Sequence, residues 1–185
     1  NKQWRAAYKD FFSDASDPID NYQSVYINDI NRDGIPEVFI DRWGMGCPRQ
    51  VVTYIKDKGI TTLMFDFGST PQIKNKLYLG LNQNKIILRE DGISSGALSY
   101  HHALMYTLGD NGFEKTHEIS AEKLKEDFDY NDIAALDAHI KKSLKLFNEK
   151  FDAVTKSLDL IDYADVAVTK NIKEYLNNEL KLDKS

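Results

Sequence analysis

The sequence predicts an α+β fold, in which a meander of about eight antiparallel strands lies between an N-terminal helix and C-terminal helices packed on the sheet. Three observations predict it. Residues 22–119 hold strand-like runs joined by short polar turns, whereas residues 2–13 and 131–151 repeat apolar residues every three or four positions. No long Gly, Ser or Pro-rich linker divides the chain, so we expect residues 1–185 to form a single domain.

The N-terminal segment is predicted to be a short amphipathic helix with an aromatic face that caps the core. Its apolar residues recur at helical spacing: Trp4, Ala7, Tyr8, Phe11 and Phe12. Residues 13–18 are mostly small and polar and end in proline, so the helix should end there.

Four strand–turn–strand pairs are predicted next. Their strands span residues 22–30 with 37–43, 50–56 with 60–66, 77–81 with 85–89, and 98–108 with 113–119. Each connecting turn is short, so the strands of each pair should run antiparallel.

The last third of the chain is helical in pattern. Residues 131–151 carry one apolar stripe: Ile133, Leu136, Ile140, Leu144, Phe147 and Phe151. A shorter helix could begin at Ser120, and a last helix is expected over residues 165–181. Because such faces need covering, we expect residues 120–185 to pack on the helix and meander of residues 1–119.

Composition excludes several classes of protein. A net charge of −5 argues against a nucleic-acid partner, and no apolar run is long enough to span a membrane. The single Cys47 excludes an internal disulfide framework. The chain begins at Asn1 rather than Met, from which we expect a mature or trimmed product without any targeting segment that its gene encodes.

The most informative stretch is residues 29–37, which match a calcium-loop pattern. Short oxygen-bearing side chains stand first, third and fifth, glycine sixth and a carboxylate ninth. The predicted ligands are the side chains of Asp29, Asn31, Asp33 and Glu37 and the carbonyl of Ile35. Ile40 stands where an EF-hand has its bidentate glutamate, so we expect a looser site of lower affinity. The alternative is a β-turn without an ion, for which the same residues are suited.

This sequence motif resembles the calcium loops of integrin-like β-propeller repeats and dockerin modules. The run Asp-Ile-Asn-Arg-Asp-Gly-Ile-Pro-Glu at residues 29–37 is also similar to a group of secreted or lipid-anchored proteins of Gram-positive, clostridia-like bacteria. The resemblance covers residues 1–119, and it implies a protein outside the cell that binds calcium.

Other constellations in the sequence are less specific. A zinc site built from Cys47, His101 and His117 would depend on the folding of distant segments, as would a nucleophile pair of Cys47 with a histidine, and we expect neither. Three carboxylates at predicted strand ends, Asp41, Glu90 and Asp91, could face each other, and they raise the alternative of a secreted hydrolase that uses Asp41 or Glu90.

The glycine-rich stretches are the expected binding surface. One follows Trp43, and the other runs from Gly92 to Gly96. The sequence as a whole favours an exported, non-catalytic cell-surface or lipid-anchored protein with one structural calcium ion, which meets a protein or glycan ligand at these loops. The alternatives are the hydrolase and a cytoplasmic interaction protein in which residues 29–37 are an ordinary turn.

Overall fold

The computed structural model describes residues 2–14, 18–42, 50–65, 73–81, 83–94, 98–121 and 132–182. It confirms the α+β fold: an N-terminal helix, antiparallel strands and C-terminal helices packed on the sheets. The predicted helix that would begin at Ser120 falls mostly on residues outside these ranges.

The N-terminal helix α1 spans Lys2–Phe12, close to the predicted bounds. Trp4, Tyr8 and Phe12 are buried along one face, each a turn from the next, and their rings contact in sequence. A 3₁₀ turn over Ile19–Asn21 then leads into the first sheet.

The first sheet has four antiparallel strands in chain order. They are β1 (Ser24–Asn28), β2 (Glu37–Asp41), β3 (Gln50–Ile55) and β4 (Gly59–Met64). All five residues of β2 are buried, because the sheet is covered on both faces.

The second sheet has five strands in the order β8-β7-β6-β5-β9. They are β5 (Ile73–Gly80), β6 (Lys85–Ser94), β7 (Leu98–Gly109), β8 (Gly112–Ser120) and β9 (Leu160–Asp162). The sequence pattern predicted the hairpins of this sheet but not β9.

Three C-terminal helices complete the described chain. They are α2 (Ile133–Thr155), α3 (Tyr163–Val166) and α4 (Ile172–Leu180). The last predicted helix, over residues 165–181, therefore begins later than expected, since Val168 instead forms an isolated bridge with Val25 of β1. Ile133, the first residue of the predicted apolar stripe, is 79% exposed.

The elements stack in four layers. Phe39 and Val51 of the first sheet share a core cluster with Leu79 and Leu88 of the second, so the two sheets pack face to face. The next residue along each strand points the other way: Ile40 and its neighbours pack under α1 and α4, and Ile87 and Met105 pack under Phe147 of α2. The predicted meander is thus two sheets with helices on both outer faces.

The C-terminal part of the chain, from β9 to α4, contacts both sheets. β9 pairs with β5, and Tyr163 of α3 lies in the core between the sheets, where its hydroxyl is 2.9 Å from Ser24 Oγ. Leu176 and Leu180 of α4 pack on the first sheet beside α1. None of the described helices is both long and apolar enough to span a lipid bilayer.

Candidate functional site: the loop between β1 and β2

The candidate calcium loop is set by the pairing of β1 with β2. Asn28 and Glu37 face each other as the last pair of this ladder, so residues 29–36 form the connection. Ile30 turns back into the core between the sheets and is fully buried, whereas Asp33 at the tip is exposed. One buried apolar residue therefore anchors a loop whose polar side chains lie near the surface.

Hydrogen bonds from the backbone organise the loop around its carboxylates. Asp29 accepts the amide N–H of Asp33 at 3.1 Å and that of Gly34 at 2.9 Å, one on each carboxylate oxygen. Asp33 in turn accepts the N–H of Ile35 at 2.7 Å and the side-chain amide of Asn31 at 3.0 Å. Gly34 has φ of +82°, which explains glycine at the sixth position of the motif.

Glu37 closes the loop from below and is fully buried. One carboxylate oxygen accepts the N–H of Ile30 at 2.9 Å, and the other accepts the hydroxyl of Thr53 on β3, also at 2.9 Å. Burial raises the pKa of Glu37 to about 8, although these two hydrogen bonds oppose the shift. The carboxylates of Asp33 and Asp29 raise the pKa further, which shows that they lie within electrostatic range.

Tyr8 of α1 supports the base of the loop. Its hydroxyl donates to the carbonyl of Pro36 at 2.6 Å, and the side chain is fully buried. Burial raises the pKa of Tyr8 well above its ordinary value, and the neighbouring Glu37 adds to the shift. The N-terminal helix thus fixes the position at which the loop enters β2.

The oxygen set of the loop suits a hard cation such as calcium. A carboxylate oxygen that accepts one N–H keeps a second lone pair, so Asp29 and Asp33 retain acceptor capacity. Within the described ranges, no three His, Cys, Asp or Glu side chains already form a group that could hold a metal ion. Calcium binding would therefore require the loop side chains to turn toward a common centre, and it stays a prediction.

The other predicted site residues are placed only in part. Trp43, Cys47 and Gly96 lie outside the described residues. Gly92 is described, but it belongs to β6, where it pairs with Tyr100 of β7, rather than to a loop. Residues 92–94 of the expected binding stretch thus belong to a strand.

The carboxylates of the hydrolase alternative end up in different sheets. Asp41 ends β2 in the first sheet, and Glu90 lies on β6 in the second; both side chains are buried. Glu90 Oε2 lies 3.4 Å from Nδ1 of His102, whose Nε2 is 3.1 Å from Glu118. Nothing in this arrangement distinguishes a catalytic pair from a structural one, and the hydrolase stays a prediction.

A polar network under α2 was missed by the sequence analysis. Asp91 lies 2.9 Å from Nδ1 of His101 and forms an ion pair with Arg89, whose guanidinium also donates to Asn148 of α2. Burial alone would raise the pKa of Asp91, but hydrogen bonds from His101 and Arg89 outweigh it and lower the pKa. Arg89 and Asp91 alternate along one strand, a signal that could have placed them on one face.

Comparison of the chain with protein-family models, with curated proteins and with solved structures finds no match. The resemblance of residues 29–37 to known calcium loops therefore remains a prediction that depends on the residues alone.

Proposed function

We propose that this protein is an exported, non-catalytic binding protein of the cell surface, secreted or lipid-anchored, whose β1–β2 loop holds one structural calcium ion. The observation that carries the proposal is the placement of Glu37. A fully buried carboxylate lies at the foot of a loop that carries two further carboxylates, Asp29 and Asp33. A divalent cation would favour the ionised form of Glu37 and offset its repulsion with the two aspartates.

The expected affinity connects the loop to a compartment. Calcium sites of extracellular modules bind at about 10⁻⁴ to 10⁻³ M, whereas cytosolic sensors and buffers bind far more tightly. The loop ends without the bidentate glutamate of an EF-hand, because Ile40 stands at that position on β2. A weak site of this kind would be filled where free calcium is near millimolar, which favours a protein outside the cell.

Calcium should stabilise the protein modestly, and Asp33→Ala should abolish the effect. At calcium about ten times the dissociation constant, mass action adds about 1.4 kcal/mol to the free energy of unfolding. For a domain of this size the melting temperature should rise by about 4 °C, as measured by scanning calorimetry in calcium and in chelator. Magnesium should do less, because it requires a tighter octahedral arrangement.

The matched control is Asp110→Ala. Asp110 is another exposed aspartate in a turn, between β7 and β8, so its loss should leave the calcium response intact. If neither the unsubstituted protein nor Asp110→Ala responds to calcium up to about 10 mM, the loop is an ordinary turn. A dissociation constant below about 1 µM would instead contradict the weak site from which export is inferred.

A further inference from the structure

A cleft of about 560 Å³ opens beside the candidate calcium loop. Asn31 and Asp33 of that loop form part of its wall. Further wall comes from Tyr54 and Lys56 near the end of β3 and from Asp110 in the turn between β7 and β8. The cleft thus lies where the loops of both sheets meet, at the same end of the sandwich as the proposed ion.

Two of the turns that line the cleft contact each other. The side chain of Lys58, in the turn between β3 and β4, donates to the carbonyl of Asn111 at 3.0 Å and to its side-chain oxygen at 3.3 Å. A Cβ added to Gly112 would lie 3.3 Å from Cδ1 of Ile55, so the two turns also pack closely behind this bond. Contacts between turns of the two sheets therefore join the two sides of the cleft.

The size and lining of the cleft favour a small polar ligand over a protein partner. Its volume falls within the range of small-molecule sites, whereas a stable protein partner needs about 800 Å² of surface on each side. The lining combines carboxylates, amides, two ammonium groups and a tyrosine, both donors and acceptors of hydrogen bonds. A neutral polyhydroxylated molecule can bond to all of these without the desolvation of a net charge.

The proposed calcium ion would also need a further ligand. Calcium takes six to eight oxygens. Each oxygen of Glu37 already accepts one hydrogen bond, from Ile30 or Thr53, and the loop offers five ligand residues: the side chains of Asp29, Asn31, Asp33 and Glu37 and the carbonyl of Ile35. The exposed side of the ion would face toward the cleft, because Asn31 and Asp33 belong to both.

We propose that this cleft is a carbohydrate-binding site in which two neighbouring sugar hydroxyls complete the coordination of the calcium ion. The inference rests on the proposed function, since it needs calcium at the loop. It names a glycan as the ligand, and it places the glycan at the calcium end of the sandwich rather than at the glycine-rich stretches near Trp43 and Gly92.

The test is a titration of the isotope-labelled full chain by nuclear magnetic resonance. The probes are the methyl glycosides of mannose, galactose and glucose, whose neighbouring hydroxyls differ in configuration, each added to about 50 mM. With calcium present, at least one should shift the backbone amides of residues 31–35, 53–58 and 109–111, with a dissociation constant in the millimolar range. Removal of calcium with EDTA should weaken binding at least about tenfold.

A pair of double variants separates the cleft from the ion. Lys56→Ala with Asp110→Ala removes one positive and one negative group from the wall, and it should reduce sugar binding at least about tenfold while the calcium response persists. Lys145→Ala with Glu149→Ala removes an exposed pair on α2, with the same change in charge, and it should leave both properties unchanged.

The possible failures are distinguishable. If calcium does not raise the melting temperature of the protein, the proposed function itself is wrong. If calcium binds but none of the three glycosides shifts the cleft amides, the carbohydrate site is overturned and the calcium loop stands. Shifts of the same amides by a casein hydrolysate, with no response to sugars, would assign the cleft to peptides and overturn the inference equally.

Discussion

A chain that ends at Ser120 is expected to lose cooperative unfolding and to aggregate. Removal of the remaining residues deletes β9 from the edge of the second sheet and removes Tyr163, which is 1% exposed, from the core between the sheets. It also uncovers Ile87 and Met105, which Phe147 of α2 covers. Loss of one large buried aromatic residue alone costs about 3–5 kcal/mol, comparable with the whole stability of many domains.

The measurement is thermal unfolding followed by circular dichroism, with light scattering to detect aggregation. As a control, the shortened chain is produced together with a separate fragment of residues 121–185, which should restore solubility if the two parts share one core. A soluble chain ending at Ser120 with an unchanged melting transition would show that the two parts are independent domains. The single-domain assignment stays a prediction until then.

Glu37→Gln is expected to stabilise the metal-free protein at pH 8 and to leave it nearly unchanged at pH 4. The pKa of Glu37 is about 8 in the folded protein against an ordinary 4.5, so the unfolded chain ionises this group first. The stability that protonated Glu37 contributes to the fold is fully present below about pH 4.5 and is lost as the pH rises toward 8. Glutamine can accept the N–H of Ile30 and donate to Oγ of Thr53, so the substitution keeps both contacts without the charge.

At pH 8 the free energy of unfolding of Glu37→Gln should exceed that of the unsubstituted protein by on the order of 2–5 kcal/mol, or roughly 10 °C in melting temperature. It is measured by calorimetry in chelator across pH 4–8. Calcium at the loop would reverse the comparison, because the unsubstituted protein alone would gain stability from the ion. A Glu37→Gln variant that is less stable at pH 8 in chelator would contradict the raised pKa.

The helices and hairpins could be predicted from the sequence, whereas the stacking of two sheets between layers of helices could not. The aromatic face of α1 and the hairpins follow from periodicity and turn chemistry within short stretches of sequence. β9 could not be predicted in this way, since it has only three residues and forms through pairing with β5, far away in the sequence. The late start of α4 has a local reason that was overlooked: Val168 and Thr169 are β-branched and favour extended backbone.

In the candidate site, too, the local features could be predicted from the sequence and those that depend on distant residues could not. The motif of residues 29–37 predicted a tight polar loop, and the hydrogen bonds of Asp29 and Asp33 have the geometry of such a loop. The motif predicted Glu37 as one of five ligands, and it did not predict that this residue is fully buried. Its burial depends on β3, which supplies Thr53, and on α1, which supplies Tyr8, so no short window of sequence contains it.

The bridge between Val25 and Val168 constrains the order of folding. β1 is an edge strand, and the residue that pairs with its outer side through two backbone hydrogen bonds lies near the other end of the chain. The edge therefore cannot be covered until nearly all of the chain is available. Contacts of this span slow folding, because a long loop must close before they form. During that interval β1 presents an open ladder of N–H and C=O groups, so newly made chains are vulnerable to pairing with one another until residue 168 arrives.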